Sequence, residues 1–254
     1  MDLFNNTTTN NTTTLKFPIH LPTKKNYSYQ YDEAAKVFRI SIPDGEIIYA
    51  EQFFDTKISD RSMDYLLANE DDLHWRTTDW RAYEKEKLST IPFTNIQWQH
   101  DQIKMFGKQV YIPRYSAWHG EEGKSYTYSG LTLYPKPWNK GLLYIKEKIN
   151  QLVEVPFNSV LLNWYRDGLD YMNWHADDEK ELGRNPVIGS VNFGATRRFV
   201  IRRIDDKKEK VEFPLQHGTL LIMKGAMQHY WQHTVPKERR VKADRINLTF
   251  RVIV

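Results

Sequence analysis

The chain has 254 residues, of which 40% are hydrophobic and 27% are charged, and this composition is sufficient for one sizeable folded core. The 36 basic and 32 acidic side chains leave a net charge of +4, which permits a polyanionic partner without requiring one. The chain contains no cysteine, which excludes disulfides, thiolate catalysis and thiolate metal sites. Any metal must therefore be bound by histidine or carboxylate groups.

The N-terminal segment has low sequence complexity. Residues 5–14 read NNTTTNNTTT and contain no apolar side chain for a core, so residues 1–25 are predicted to form a disordered tail. Order is expected to begin between Tyr27 and Tyr31. The sequence shows neither a secretory signal nor an apolar run of membrane-spanning length. These features predict an intracellular protein, cytoplasmic if bacterial and nuclear if eukaryotic.

The first half of the chain combines one clear strand with two helices. KVFRISI at residues 36–42 alternates like a strand and is followed by the turn sequence PDGEI. Residues 56–70 repeat apolar side chains every three to four positions and predict a helix capped by Thr56 or Ser59. The same spacing predicts a second helix over residues 139–152.

After Pro156 the sequence changes to short apolar runs separated by turns, from SVLLNWYR to RINLTFRVIV at the C-terminus. Many short strands with close turns are typical of a sandwich or a barrel. The sequence shows no internal repeat and no linker. It therefore predicts one domain over residues 26–254, in which a helical N-terminal half supports a β core.

The stretch WHADDE is a candidate metal site. His175 and Asp177 are two positions apart, and alternate residues of a strand point to the same face. A third ligand would come from His217, His229 or His233. Two histidines and one carboxylate form the facial triad of non-haem Fe(II) oxygenases. By itself, the spacing of His175 and Asp177 is weak evidence for a metal site, because a solvated run of charged residues is the simpler alternative.

The last predicted strand, RINLTFR, places Arg245, Asn247, Thr249 and Arg251 on one face and apolar side chains on the other. One interpretation is a half-buried strand whose polar face meets water. If that face instead points into a barrel, its arginines need anionic partners, because unpaired buried charge is costly. Arginine suits bidentate carboxylate binding, so a metal beside this face would suggest a bound oxo-acid.

Together these motifs resemble the AlkB family of Fe(II)- and 2-oxoglutarate-dependent nucleic-acid dioxygenases, and the second and third vertebrate homologues most closely. The matching blocks are N-x-Y-x-x-G at 163–168, H-x-D-D-E at 175–179, SVNFGATRRF, HGTLLIM, WQHTVPKE and R-x-N-x-T-F-R. They cover roughly residues 100–254. The resemblance implies an α+β fold: a double-stranded β-helix (jelly-roll) core with flanking N-terminal helices and a β-hairpin nucleotide-recognition lid at about 100–131.

The resemblance also implies the residues of the site. Fe(II) would be bound by His175, Asp177 and His233, which leaves His217 and His229 structural, and O2 would bind beside 2-oxoglutarate. The residues implied to hold 2-oxoglutarate are Asn163, Tyr165, Arg245, Asn247, Thr249 and Arg251. The implied reaction removes the methyl group of N1-methyladenine or N3-methylcytosine and releases formaldehyde, succinate and CO2.

Two acidic residues and an aromatic segment are predicted to contact the substrate. Asp178 and Glu179 follow the predicted ligand Asp177, and a carboxylate there would favour a cationic methylated base over a neutral one. Solvated loop acids are the alternative. Tyr126, Thr127 and Tyr128 lie in a segment that resembles the nucleotide lid of the family, whose aromatic rings would sandwich a flipped base. Strand aromatics packed on a core are the alternative.

Two β runs flank the sequence FGK and predict a hairpin. Phe106 stands where the homologue that prefers duplex DNA places a phenylalanine wedge, which fills the gap left by an extruded base. Gly107 suits the turn, and Lys108 and Arg114 could reach phosphates. The neighbouring IPRYSAWHGE resembles the homologue that prefers single strands, so the strand preference stays open.

Two basic runs, TRRFVIRRI at 196–204 and KERRVK at 237–242, could contact a phosphate backbone or could be solvated surface. The favoured function is repair of alkylated DNA, single- or double-stranded, by a monomer without a membrane partner. RNA demethylation by the same chemistry is the first alternative. A non-catalytic nucleic-acid-binding module and a protein hydroxylase on the same barrel are the others.

Overall fold

Sixteen strands and four α-helices occur in the residues that the computed structural model of the chain describes, which are 17–24, 26–83, 85–105, 107–124, 126–128 and 131–254. The strands are β1 (Ser28–Asp32), β2 (Val37–Ile42), β3 (Gly45–Ala50), β4 (Gln102–Met105), β5 (Lys108–Tyr111), β6 (Tyr115–Gly120), β7 (Tyr126–Tyr128), β8 (Leu131–Leu133), β9 (Ser159–Tyr165), β10 (Met172–His175), β11 (Ile188–Gly194), β12 (Arg197–Arg203), β13 (Lys210–Leu215), β14 (Leu220–Gly225), β15 (Trp231–Val235) and β16 (Arg245–Arg251). The helices are α1 (Thr56–Leu66), α2 (Lys85–Thr90), α3 (Lys140–Val153) and α4 (Met227–Tyr230), with a 3-10 turn at Lys180–Leu182. Within these described ranges, every helix is too short or too polar to cross a membrane.

Two antiparallel sheets form the body of the fold. The large sheet has the strand order β1-β2-β3-β14-β11-β16-β9-β6, and the small sheet has the order β10-β15-β12-β13. From β9 to β16 the chain passes back and forth between the two sheets, with β12 and β13 adjacent in the small one. This winding is a double-stranded β-helix, so the predicted α+β jelly-roll fold is confirmed. Strands β4–β5 and β7–β8 form two separate hairpins.

The central strands of the large sheet are buried on both faces. Along β14, Leu220 and Ile222 pack with the side chains of α1 and α3, whereas Leu221 and Met223 pack between the two sheets. Side chains of a strand alternate between faces, so a strand in this position must be apolar on both sides or carry a buried polar face. All seven residues of β9 and of β16 are buried.

The two long helices form close to where their apolar periodicity predicts them. Helix α1 ends at Leu66 rather than near residue 70, because Asn69 forms a side-chain turn with the backbone that follows the helix. Its cap is Asp55, whose carboxylate accepts a first-turn backbone N–H at 2.8 Å, and not Thr56 or Ser59. Helix α3 covers the predicted range to within one residue.

The N-terminal region is more than a helical support. Strands β1 to β3 extend the large sheet by pairing β3 with β14. Packing also begins before Tyr27, because Ile19 is buried and the Phe17 ring stacks on Tyr29 at a centroid distance of 3.8 Å. The predicted tail boundary at residue 25 is therefore too late. Residues 1–16, the rest of that predicted tail, lie outside the described residues.

Candidate metal and cosubstrate site

Strand β16 turns its polar face into the space between the two sheets. Its apolar side chains pack on the helix side of the large sheet, so the alternating partners must point inward. The exposed fractions of Arg245, Asn247, Thr249 and Arg251 are 1%, 7%, 8% and 4%. The interpretation in which this face meets water is therefore excluded. This space contains a pocket, which is lined by the polar face of β16 and by Asn163 and Tyr165 of the adjacent strand β9.

Three potential metal ligands converge in this pocket. One ligand atom from each of His175, Asp177 and His233 lies within 4.8 Å of the others, and the Nε2 of His233 is 3.9 Å from the Oδ2 of Asp177. His175 ends β10 and pairs with His233 of β15. Asp177 lies beyond the end of β10, so it converges through the turn after the strand and not by strand alternation.

The triad has the protonation that a metal site requires. The Nδ1 of His175 donates to the carbonyl of Asn173 at 2.8 Å, which leaves its Nε2 available to a metal. Burial lowers the pKa of His175, and burial together with His175 lowers the pKa of His233 to about 3. Burial alone would raise the pKa of Asp177, but Arg251 and His233 lower it to about 2. Two neutral imidazoles and one carboxylate are therefore present at neutral pH.

Asp177 is held by two partners from different elements. Arg251 donates through Nη2 to the Oδ1 of Asp177 at 2.7 Å. The backbone N–H of Asp177 donates to the Oε1 of Gln228 at 2.9 Å. Gln228 is 2% exposed and lies on α4, just before the strand that carries His233. Sequence reasoning missed Gln228, because only the fold brings α4 against the turn after β10.

Arg245 provides a test of whether the pocket fits an anionic cosubstrate. Its Nη2 donates to the Oδ1 of Asn192, and its guanidinium carbon lies 5.0 Å from the centre of the Tyr165 ring. Its Nε and Nη1 are buried and have no hydrogen-bond partner among the described residues. Burial lowers the pKa of Arg245 to about 10. A buried guanidinium with two unsatisfied N–H groups fits a carboxylate, as 2-oxoglutarate would supply.

A hydrogen-bond network links strands β11 and β16 behind Arg245. The Nδ2 of Asn247 donates to the Oγ of Ser190 at 2.9 Å and to the Oδ1 of Asn192 at 3.2 Å. The Oγ1 of Thr249 donates to the Oδ1 of Asn247 at 2.9 Å. Ser190 and Asn192 were missed in the sequence, although they alternate within SVNFG and pair with Thr249 and Asn247 across the sheet. The network fixes the pocket wall.

The predicted substrate residues lie in several places. Asp178 is exposed and Glu179 is half-buried, directly after the triad carboxylate. Strands β4 and β5 form the predicted hairpin, in which Gly107 has a φ of +79° that favours glycine and Lys108 is exposed. Phe106, the predicted wedge, lies outside the described residues.

Two other substrate predictions have different outcomes. Tyr126, Thr127 and Tyr128 form strand β7, which pairs with β8, but their side chains are outside the described part of the chain. Arg114 is 5% exposed, and its Nε donates to the Oδ1 of Asn163 at 2.7 Å. The structure therefore places Arg114 in the wall beside the pocket and not on the surface where a phosphate would lie.

The two remaining candidate histidines have structural contacts. The Nδ1 of His217 accepts a hydrogen bond from the backbone N–H of Gly194 at 2.8 Å, and its Nε2 lies 3.1 Å from the carboxylate of Asp60. The Nε2 of His229 bonds the carbonyl of Arg184. In the described ranges, neither histidine belongs to a cluster that could hold a metal.

The sequence is similar to known oxygenases over the region that builds this site. A family model of the 2OG-Fe(II) oxygenase superfamily matches residues 71–251. The chain is 48% identical over 150 residues to alpha-ketoglutarate-dependent dioxygenase alkB homolog 3 of Bos taurus, which covers 56% of this chain and 52% of that protein. It is 42% identical over 160 residues to DNA oxidative demethylase ALKBH2 of Homo sapiens, and this match covers 60% of this chain and 61% of that protein. The chain thus spans about half to three fifths of the length of these curated relatives.

Proposed function

The chain belongs to the 2OG-Fe(II) oxygenase superfamily, and from that premise we propose that it is an oxidative demethylase of N-alkylated bases in DNA. The proposed substrates are N1-methyladenine and N3-methylcytosine. Support for DNA comes from similarity to relatives named DNA oxidative demethylase, at 42% identity for the human protein and 33% for that of Arabidopsis thaliana.

One observation carries the proposal: the His-Asp-His cluster and the unsatisfied guanidinium of Arg245 line the same pocket. We propose that His175, Asp177 and His233 bind Fe(II), and that Arg245 binds a carboxylate of 2-oxoglutarate. The other residues proposed to contact or position 2-oxoglutarate are Asn163, Tyr165, Asn247, Thr249 and Arg251. Two histidines with one carboxylate leave open coordination positions on iron for the cosubstrate and O2.

When bound, iron and 2-oxoglutarate would supply the oxidation, in which 2-oxoglutarate yields succinate and CO2 and the methyl group leaves as formaldehyde. The chain itself orients and insulates the site. Arg251 keeps Asp177 ionised and directed at the metal position. The carbonyl of Asn173 fixes the ring of His175. Apolar side chains complete the wall and exclude water; they include Leu161, Met172, Phe199 and Val235.

Substrate selection is proposed to use charge and the two hairpins. Asp178 and Glu179 follow the triad carboxylate, and their negative charge would favour a cationic methylated base over a neutral one. The β4–β5 hairpin is proposed to fill the gap that a flipped base leaves, and the β7–β8 hairpin to cover the flipped base.

The proposal is tested with oligonucleotides that carry N1-methyladenine or N3-methylcytosine, as single-stranded DNA, duplex DNA and RNA of the same sequence. We expect formaldehyde and succinate in equal amounts, dependent on Fe(II) and 2-oxoglutarate, with DNA repaired faster than RNA. A large preference for RNA would assign the chain to RNA demethylation. Binding without formaldehyde release on any oligonucleotide would indicate a non-catalytic module.

A further inference from the structure

Helices α1 and α3 border a groove on the helix-covered side of the large sheet. Tyr65, near the end of α1, lies against Gly141 at the start of α3. Phe53, just before α1, lines the same hollow as Leu152 near the end of α3. The two helices are therefore antiparallel, and the groove follows α3 for about three turns. We call it the α1–α3 groove.

The α1–α3 groove has a mainly apolar floor that stays partly open to solvent. Two hollows of about 350 and 530 Å³ form it, and they adjoin at Ile58 and Tyr144, which line both. A Cβ at Gly141 would lie 2.5 Å from the ring of Tyr65, so the missing side chain lets this ring pack on α3. Tyr144 is 41% exposed. A contiguous exposed apolar surface of this kind is typical of an interaction site.

The charge around the α1–α3 groove is positive. Arg61 on one wall and Lys148 on the other are the only charged side chains among the described residues that line it. In the described part of the chain, neither forms an ion pair with a carboxylate. Lys57 and Lys140 are exposed at the two ends of the groove, whereas Glu147, the only acidic residue of α3, does not line it.

We propose that the α1–α3 groove binds an acidic amphipathic helix of a partner protein. The apolar face of that helix would pack on Tyr144 and its neighbours, and its acidic side chains would pair with Arg61 and Lys148. Two observations support this occupant. The groove has the length and the apolar floor that helix-in-groove recognition uses, and unpaired cations on both walls are complementary to acidic side chains.

A partner in this position would leave the metal pocket open. Along β14, Leu220 and Ile222 face the helices, whereas Leu221 and Met223 face the space between the sheets, so the groove and the pocket lie on opposite sides of the large sheet. Helix α1 also precedes residues 71–251, which match the oxygenase family model. One wall of the groove is therefore outside the part of the chain that the family model describes, and the inference does not depend on the proposed function.

The test measures binding of a synthetic helical peptide by fluorescence anisotropy. The labelled peptide has about four turns, with leucine at every third or fourth position and glutamate at the others. One control peptide has the same composition in scrambled order, and a second has lysine in place of glutamate. We expect the wild-type protein to bind the acidic amphipathic peptide at least about tenfold more tightly than either control. Equal affinity for the acidic peptide and a control, or no binding of any peptide, would overturn the proposal.

Two pairs of variants locate the binding surface. Tyr144→Ala removes the ring that both hollows share, and Tyr134→Ala removes an exposed ring outside the groove. We expect the first to weaken peptide binding at least about fivefold and the second to have no effect. Lys148→Glu reverses a charge on the groove wall, and Lys207→Glu reverses an exposed charge in the turn between β12 and β13. Only Lys148→Glu should weaken binding.

Thermal unfolding verifies that all four variants are folded. If Tyr144→Ala does not fold, the two charge reversals decide alone, and equal affinities for them would overturn the proposal. Other occupants give different results. If sedimentation shows a dimer for the wild-type protein and a monomer for Y144A, a second copy covers the groove. If the peptide binds only after residues 1–16 are removed, that segment of the chain covers it. Either result would make the proposal wrong.

The outcome for the groove is distinguishable from the outcome for the proposed function. Because the groove is separate from the metal pocket, Y144A should demethylate an N3-methylcytosine oligomer at the wild-type rate. A protein that binds the acidic peptide as expected but demethylates no oligonucleotide would keep the groove assignment and lose the proposed function. A protein that demethylates DNA but does not distinguish the three peptides would keep the function and lose only the groove assignment.

Discussion

The interior pocket and the two hairpins differ in how firmly the fold holds them. The pocket takes side chains from β9, β10, β11, β12, β14, β15 and β16, which lie in the two main sheets among buried neighbours. The β4–β5 and β7–β8 hairpins pair with neither main sheet, and every residue of β5 is exposed. An isolated two-stranded hairpin is marginally stable. Metal ligands therefore lie in the rigid part of the molecule, and the proposed contacts to a variable substrate lie in the adaptable part.

Within the pocket, polar groups that are hydrogen-bonded to the protein stabilise the wall, whereas unsatisfied polar groups are available to a ligand. Asn247 and Asn192 bond to each other and to neighbouring strands, which fixes the pocket wall. Arg245 is equally buried, yet two of its N–H groups have no partner in the described residues. Leaving buried donors unsatisfied costs free energy, and those of Arg245 line the pocket that holds the triad, so they support the proposal that a carboxylate binds there.

The largest expected effect comes from removing charge at the centre of the pocket. Asp177→Asn keeps the side-chain shape, but it replaces an anionic ligand with a neutral amide and removes the ion partner of buried Arg251. We expect Co(II) binding and formaldehyde release to fall below detection. Asp178→Asn, one residue further and exposed, is the matched control and should retain Co(II) binding. Isothermal titration measures the affinity of both variants for Co(II), which replaces Fe(II) as the probe. Normal Co(II) affinity in D177N would refute the assigned triad.

The next effect distinguishes two buried arginines. Arg245→Met should raise the KM for 2-oxoglutarate about 100-fold, because a hydrogen-bonded charge contact contributes roughly 1.5–3 kcal/mol. It should lower the thermal midpoint of the ligand-free protein only slightly, because it removes two unsatisfied donors together with the one hydrogen bond to Asn192. Arg197→Met should lower that midpoint strongly, because Arg197 is equally buried and donates to three carbonyls. Equal destabilisation by both substitutions would contradict the cosubstrate assignment.

A smaller effect is expected at the residue that positions Asp177. Gln228→Met removes the acceptor for the backbone N–H of Asp177, whereas Gln228→Glu keeps an acceptor of the same length. Partners that orient a metal ligand typically contribute about tenfold or more to metal affinity. We expect Co(II) affinity to fall about tenfold in Q228M and to be restored in Q228E. Identical affinities in the two variants would show that Gln228 only fills space.

Features that depend on local sequence patterns could be predicted from the sequence. All seven short apolar runs predicted after Pro156 are strands, because short apolar runs bounded by turns are a local signal. The alternation of RINLTFR also predicted which four side chains of β16 share a face, and the pocket contains all four. The motifs of the family then suggested the three ligands that the fold brings together.

What the sequence did not predict depends on contacts between distant segments. Gln228 reaches Asp177 across 51 positions of the chain, and no local pattern records that contact. The position of Arg114 after the hairpin predicts that it can reach a phosphate, but its side chain points inward and donates to Asn163. Gly168 could be recognised in its motif but not explained, because only the fold shows that a Cβ there would lie 1.8 Å from the carbonyl oxygen of Glu238.

A weaker effect is expected from a substitution in the β4–β5 hairpin. Phe106→Ala should reduce repair of duplex DNA several-fold more than repair of single-stranded DNA, because only in a duplex does the flipped base leave a gap that a wedge can fill. Val110→Ala, on β5 of the same hairpin, is the control and should not change this ratio. Both rates are measured on the same N3-methylcytosine oligomer, with and without its complement. An equal loss on the two substrates would remove the wedge assignment.

The smallest effect concerns a buried polar group that lies outside the pocket. The Oδ2 of Asp244 accepts no hydrogen bond of normal geometry in the described part of the chain, and burial raises the pKa of this carboxyl from 3.8 to about 7 against a weaker opposite effect of the Trp164 indole. Between these pH values the folded state holds a proton that the unfolded chain has released. The stabilisation is therefore complete below about pH 4 and is lost as the pH rises through 7.

Asp244→Asn keeps the shape of the protonated side chain at every pH. The metal-free variant should unfold at the wild-type temperature near pH 4 and at a temperature at least ~2 °C higher at pH 8. The low pKa values of His175 and His233 also make stability depend on pH, but they do so equally in both proteins and cancel in the difference. The KM for 2-oxoglutarate should not change, although Arg245 is the next residue. If the variant instead unfolds at a lower temperature than wild type at pH 8, the ionised carboxylate of Asp244 has a stabilising partner, and the interpretation that burial raises its pKa is wrong.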